Sequence, residues 1–208
     1  MARENQDHIR QMIAQQAARM MAEDGINDFA YAKKKAGKQL GISENSVLPT
    51  NAEIEEEIRL YHEIYNADEQ PLELEKLRKA ALITMQLFER FNPHLTGSVL
   101  DGTAGKFAQT NIHLFADSAK EVEMFLLNML IPFESSEKSY RLSDKPSKDK
   151  KDKVRKTVPV FTLETELGVQ KLSVFDVDDL RVATKKSSDG ANAERMNIAE
   201  LKALISVF

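Results

Sequence analysis

GSVLDGTAGKFAQTNIHLFA, residues 97–116, sets a glycine-rich stretch against a regular apolar–polar alternation. A short strand-like segment, His94 to Thr96, leads into Gly97-Ser98. A glycine at a strand end lets the backbone come close to a ligand. The serine hydroxyl and the neighbouring N–H groups are of the kind that donate to phosphate oxygens. Gly102 and Gly105 are expected to keep the following loop slack. From Thr110 a second strand is expected. Its period of two places Asn111, His113 and Phe115 on one face and Ile112, Leu114 and Ala116 on the other. The second set belongs in the core, and Asn111 and His113 are expected to face a cleft.

Upstream the pattern is helical. Ile9, Met12, Ile13, Gln16, Ala17 and Met20 recur at helical spacing, with Gly25 as a left-handed stop. Phe29, Ala32, Ala36 and Leu40 form a second stripe ended by Gly41, and a Pro-containing linker runs on to Pro49. Thr50 and Glu53 have capping-box spacing ahead of a helix carrying Ile54, Ile58, Tyr61 and Tyr65. Pro71 suits the opening of a helix whose Leu74, Leu77, Ala81, Met85 and Phe88 make a core-facing stripe. The pattern changes at Asn92-Pro93.

Downstream, Ser118 is placed to cap a helix through Asn128, and Pro132 to Leu142 reads as a long strand or strand pair. Ser143 to Lys156 has no apolar period and reads as a loop. Thr157 to Glu164 and Val169 to Phe175 flank Gly168 as a hairpin, and Ile198 to Val207 closes the chain as a short helix. The expected fold class is α+β: an N-terminal helical region over residues 1–68, then a mixed sheet with flanking helices over residues 69–208.

Composition narrows the chemistry. The 208 residues carry a net charge of -4, which gives no global attraction to nucleic acid or anionic membrane. With no cysteine there is no disulfide, thiolate metal site or thiol nucleophile, in keeping with a cytoplasmic location. No apolar run reaches membrane-span length, and the polar start MARENQDHIRQ is unlike a signal peptide.

The order helix Pro71–Phe91, strand His94-Leu95-Thr96, Gly97-Ser98, loop, and Asn111-Ile112-His113-Leu114 resembles the nucleotidyltransferase superfamily of polymerase-β-like fold. The resemblance covers about residues 71 to 180. It implies a strand ending in Gly-Ser, then acid–apolar–acid–apolar on the next strand and a third acid on a later one. It also implies that those acids hold two Mg²⁺ ions that bridge nucleotide phosphates. Here the matching positions are Asn111, His113 and, within Val169–Phe175, Ser173. Mg²⁺ prefers hard anionic oxygen ligands, whereas an amide, an imidazole and a hydroxyl are neutral. The implied protein is a degenerate member without transferase activity. Gly97, Ser98, Asn111, His113 and Ser173 would line a retained site for a nucleotide, another phosphate-bearing ligand or a protein partner. Two alternatives stand beside it: an active Mg²⁺-dependent transferase using displaced acids such as Asp101 and Asp176, and a purely structural protein whose N-terminal helices bind a partner.

Other features take simpler readings. Asp117-Ser118 and Asp176-Val177-Asp178-Asp179 are expected to end strands and start helices. His113 and His94 lack helical metal spacing. The run Lys145, Lys148, Lys150, Lys151, Lys153, Arg155 and Lys156 is interspersed with Asp and has no aromatic residue to stack a base, so it reads as a solvated loop. Lys33-Lys34-Lys35 is a wet helix face, and Met12, Met20 and Met21 are expected to pack between helices.

Overall fold

The structure, a computed structural model, describes residues 2–42, 47–142, 155–166, 168–185 and 192–206. The expected loop is thereby outside the described residues except for Arg155 and Lys156, as are part of the linker before Pro49 and the last expected helical residue, Val207. The chain forms two compact units. The first comprises the residues up to Glu73 together with Thr103–Ala108, and the second comprises Leu74–Gly102 and the described residues from Gln109 onward.

The first unit is helical. Helix α1 (Ala2–Glu23) lies against both α2 (Phe29–Gln39) and α3 (Asn51–Tyr65). Ile13, Ala14, Ala17, Ala18, Met20, Ala32, Ala36, Ile54 and Ile58 form their core. The alanines let the helix backbones approach closely and lose no side-chain entropy on burial. Met20 is in this core and Met21 packs against it, as expected, while Met12 is exposed. The capping box forms: Thr50 Oγ1 accepts from the Glu53 N–H, and Glu53 accepts from the Thr50 N–H at 2.6 Å. Asp28 caps α2 by accepting from the Tyr31 N–H at 2.6 Å.

Thr103–Ala108, the glycine-rich loop, is not slack. A Cβ at Gly25, whose φ is +68°, would come within 2.9 Å of Phe107 Cβ, and one at Gly105 within 3.1 Å of His62 Cε1. Gln70 Nε2 donates to the Ala104 carbonyl at 3.0 Å. Glycine at 25 and 105 serves close approach to this loop, so the loop is packed down.

The second unit is a mixed five-stranded sheet, ordered β1-β2-β5-β4-β3. Its strands are β1 (His94–Thr96), β2 (Thr110–Ala116), β3 (Glu134–Arg141), β4 (Arg155–Thr165) and β5 (Gly168–Asp176). Only β2 and β5 pair in parallel; β1–β2, β5–β4 and β4–β3 are antiparallel. Pro132–Leu142 thus yields one strand, β3, and the expected β4–β5 hairpin forms. Helix α4 (Glu69–Leu87) begins two residues before Pro71, which sits in the first turn where a backbone N–H has no intrahelical partner. Helix α5 (Ser98–Asp101) is a single turn after Gly97. Helix α6 (Ala119–Asn128) is capped by Ser118, which accepts from the Lys120 N–H, and lies against β2 and β5. Helix α7 (Ile198–Ser206) follows.

Alternation divides the sheet residues. Leu95, Ile112, Leu114, Leu172, Val174, Phe161 and Leu163 point one way and are all buried. Phe125 of α6 sits edge-on to Phe88 and Phe91, with centroids at 5.3 and 5.5 Å. The other face carries the candidate residues.

Candidate functional site

The register lays the second face out in rows. Thr96 of β1 pairs with Asn111 of β2, Asn111 with Lys171 of β5, Lys171 with Thr162 of β4, and Thr162 with Glu134 of β3. Every member of this row is polar. The next row is His94, His113, Ser173, Val160 and Ser136. Beyond it come Phe115, paired with Phe175, and then Val158 and Tyr140, which cluster with them.

Gly97 joins β1 to α5 with φ +77° and ψ -157°, a backbone state that a side chain would strain. A Cβ there would meet the Asn111 amide nitrogen at an ordinary 3.5 Å, so the φ angle is what demands glycine. Asn111 Nδ2 donates to the Gln109 carbonyl at 3.2 Å. Gly97, Ser98, Asn111, Lys171 and Thr162 are all half-buried, so this end of the face is accessible.

The other two expected site residues lie elsewhere. His113 is 2% exposed and faces no cleft, which corrects the expectation from alternation. Its ring meets Phe175 at 4.6 Å and Tyr140 edge-on at 5.3 Å. Burial first, then the charges of Arg195, Lys138 and His94, push its pKa down to about 3, so the imidazole is neutral. Ser173, also 2% exposed, shares a 2.8 Å hydrogen bond with the Tyr140 hydroxyl. Alternation correctly placed His113 on the face of Asn111, and the register sets Ser173, expected at the site from the resemblance, beside it. Alternation could not show that Tyr140, from the edge strand β3, covers them.

The C-terminal segment adds cover. Met196 pairs with Leu95, and Thr96 Oγ1 donates to the Glu194 carbonyl at 2.9 Å. The Arg195 guanidinium lies 5.3 Å over the Phe115 ring and donates to the carbonyls of Leu180 and Val182. His94 stands edge-on to Phe115 at 5.5 Å, and its Nδ1 is 2.9 Å from the Asn92 carbonyl.

These donors do not suit Mg²⁺. Asn111 supplies a neutral amide oxygen, Ser173 a hydroxyl already bonded to Tyr140, and His113 a buried soft nitrogen. Among the described residues no three His, Asp or Glu side chains gather as metal ligands. Nor does Asp176 reach the Gly97 corner. It is five residues beyond Lys171 along β5, roughly 16 Å at strand rise, and Lys156 holds it together with Asp179. The strand end at Asp176 and the short helical turn Val177–Arg181 form as expected, although Asp176 makes no side-chain cap.

One residue of the accessible row escaped the sequence reading. Lys171 stands two before Ser173, so period two already put it on that face once β5 was recognised as a strand. No helix among the described residues is long and apolar enough to cross a membrane. No family model, curated protein or solved structure matches the chain.

Proposed function

We propose that this chain is a nucleotidyltransferase-like protein without transferase activity that binds a nucleotide or another phosphate-bearing ligand at the Gly97–Ser98–Asn111 corner. The observation that carries the reading is the split of the expected site. The corner that would position phosphate is accessible, whereas two of the three positions that would hold metal-binding carboxylates are neutral and sealed beneath Tyr140. Restoring charge at His113 or Ser173 would place a carboxylate in an aromatic core, which is costly without a partner. The corner has no such constraint and offers a hydroxyl, an amide and a nearby ammonium.

The test is to titrate the protein with labelled nucleoside triphosphates, with and without Mg²⁺, while following pyrophosphate release. Saturable binding without protein-dependent pyrophosphate is the expected result. Metal-dependent transfer of the nucleotide to any acceptor, abolished by Ser98→Ala, would overturn the inactive reading.

A second reading, partner binding through the N-terminal helices, is favoured by α3, whose Leu60, Ile64 and Tyr65 are exposed. It predicts concentration-dependent assembly that Ile64→Ser abolishes, with no nucleotide binding at all.

A further inference from the structure

One cation on the sheet is paired and another is left open. Lys156 is clasped by Asp176 and Asp179. Lys171 is half-buried on the central strand β5 and has no ion pair among the described residues. Its cross-strand neighbours, Asn111 and Thr162, are neutral. The only carboxylate in its row, Glu134, is exposed and two strands away, about 10 Å by strand spacing. An ammonium without a protein counter-ion can take its negative charge from a ligand. Of the two flanking rows, that of His113 and Ser173 offers none, since the first is neutral and the second is engaged with Tyr140; in the other, the exposed Glu164 of β4 lies diagonal to Lys171 and forms no ion pair with it. Arg195 and Lys138 instead extend the positive potential along the same face.

We propose that Lys171 stands in for a divalent metal, and that the corner recognises a metal-free phosphate group held between the Lys171 ammonium, the Asn111 amide and Ser98. This rests on the phosphate-binding reading and narrows it to a ligand class: free phosphate dianions and not their Mg²⁺ chelates. The physical reason is one of sign. A lysine ammonium is a compact point charge that serves a phosphate well. A phosphate already neutralised by Mg²⁺ brings less charge to Lys171, and its hydrated metal would be repelled by an ammonium that is in no ion pair. Magnesium therefore weakens binding here, whereas a site built from acids would require it.

Calorimetric titration with ADP, inorganic pyrophosphate and adenosine, each in EDTA and in excess magnesium chloride, separates the cases. ADP and pyrophosphate are expected to bind in EDTA and adenosine not to. Pyrophosphate matching ADP would place recognition in the phosphate alone, and ADP binding far tighter would add a contribution from the nucleoside. Magnesium should weaken the affinity several-fold, and Lys171→Gln should weaken it about tenfold or more, as loss of a charged contact does. Lys171→Arg should recover part of it, and Lys156→Gln should leave it unchanged. Binding that needs magnesium, or that survives Lys171→Gln in a protein with an unchanged melting curve, overturns this inference while leaving the phosphate-binding reading in place. Failure of wild-type protein to bind any phosphate probe in either buffer removes both. The magnesium comparison uses wild-type protein, so it decides the matter even where a variant folds poorly.

Discussion

At one end of the sheet face, Thr96, Asn111, Lys171, Thr162 and Glu134 stand side by side in a polar row, of which only Thr96 is buried. At the other, Phe115, Phe175, Val158 and Tyr140 close over one another. The backbone is continuous across both, and the same strands supply both. What separates them is the size and polarity of side chains two residues apart. The polar end keeps an accessible row at little gain in burial. The aromatic end gains apolar contact and loses any cleft, taking His113 and Ser173 into the core with it. A ligand site and a packed core can thus share one sheet face, provided the boundary falls between adjacent rows.

The sharpest way to break this contrast is to delete a ring. Phe175→Ala should lower unfolding stability by about 3 to 5 kcal/mol, the usual loss for a large buried side chain. Lys171→Gln should change it by less than about 0.5 kcal/mol. Chemical denaturation of both variants measures the difference, and similar losses would mean that the two ends are not distinct.

Acid offers a second probe. In the folded chain His113 is pushed down to about 3 from 6.5, first by burial and then by Arg195, Lys138 and His94. The unfolded chain therefore binds a proton below pH 6.5 that the folded chain refuses. The contribution to stability is complete above that pH and is lost as pH falls from 6.5 toward 3. The slope is at most about 1.4 kcal/mol per pH unit, or about 2 kcal/mol by roughly pH 5. His62 and His94 shift the same way, with burial the leading cause in each. His113→Phe should accordingly flatten the acid limb of a stability–pH curve without removing it. Parallel curves for variant and wild type would show that His113 takes up its proton in the folded state.

Much of the fold was legible because its signals are local. Thr50 and Glu53 announce their capping box, Ser118 its cap, and the β4–β5 hairpin its turn at Gly168. The face shared by Asn111 and His113 followed from strand period alone. Illegible was everything that depends on a distant strand or segment: Tyr140 over His113, Arg195 over Phe115, and the packing of Thr103–Ala108 beside α3 and the end of α1. Lys171 lay between, since its face was readable but its missing partner was not. The sequence had also offered Asp176 as a displaced acid. Lys156, from the neighbouring strand β4, engages it, a pairing that no local signal carries.

The smallest effect bears most directly on where the boundary between the two ends lies. The Tyr140 hydroxyl and Ser173 Oγ, 2.8 Å apart, join β3 to β5 across β4. Tyr140→Phe keeps the ring that packs on His113 and removes only this hydrogen bond, leaving the buried Ser173 hydroxyl without its partner. The expected loss is about 1 kcal/mol. Ser173→Ala should lose less, because Tyr140 is half-buried and its hydroxyl can turn toward water. If the two groups act as a pair, the double variant should be no less stable than Tyr140→Phe alone, so the losses should fail to add. Additive losses would mean that the bond does not hold the aromatic cover in place. A Ser173→Ala protein of wild-type stability that has lost phosphate binding would move the boundary one row inward and return Ser173 to the ligand site. The cover would then have to open for the ligand to enter, and Tyr140→Phe, which removes the bond that ties Tyr140 to Ser173, should bind faster than wild type.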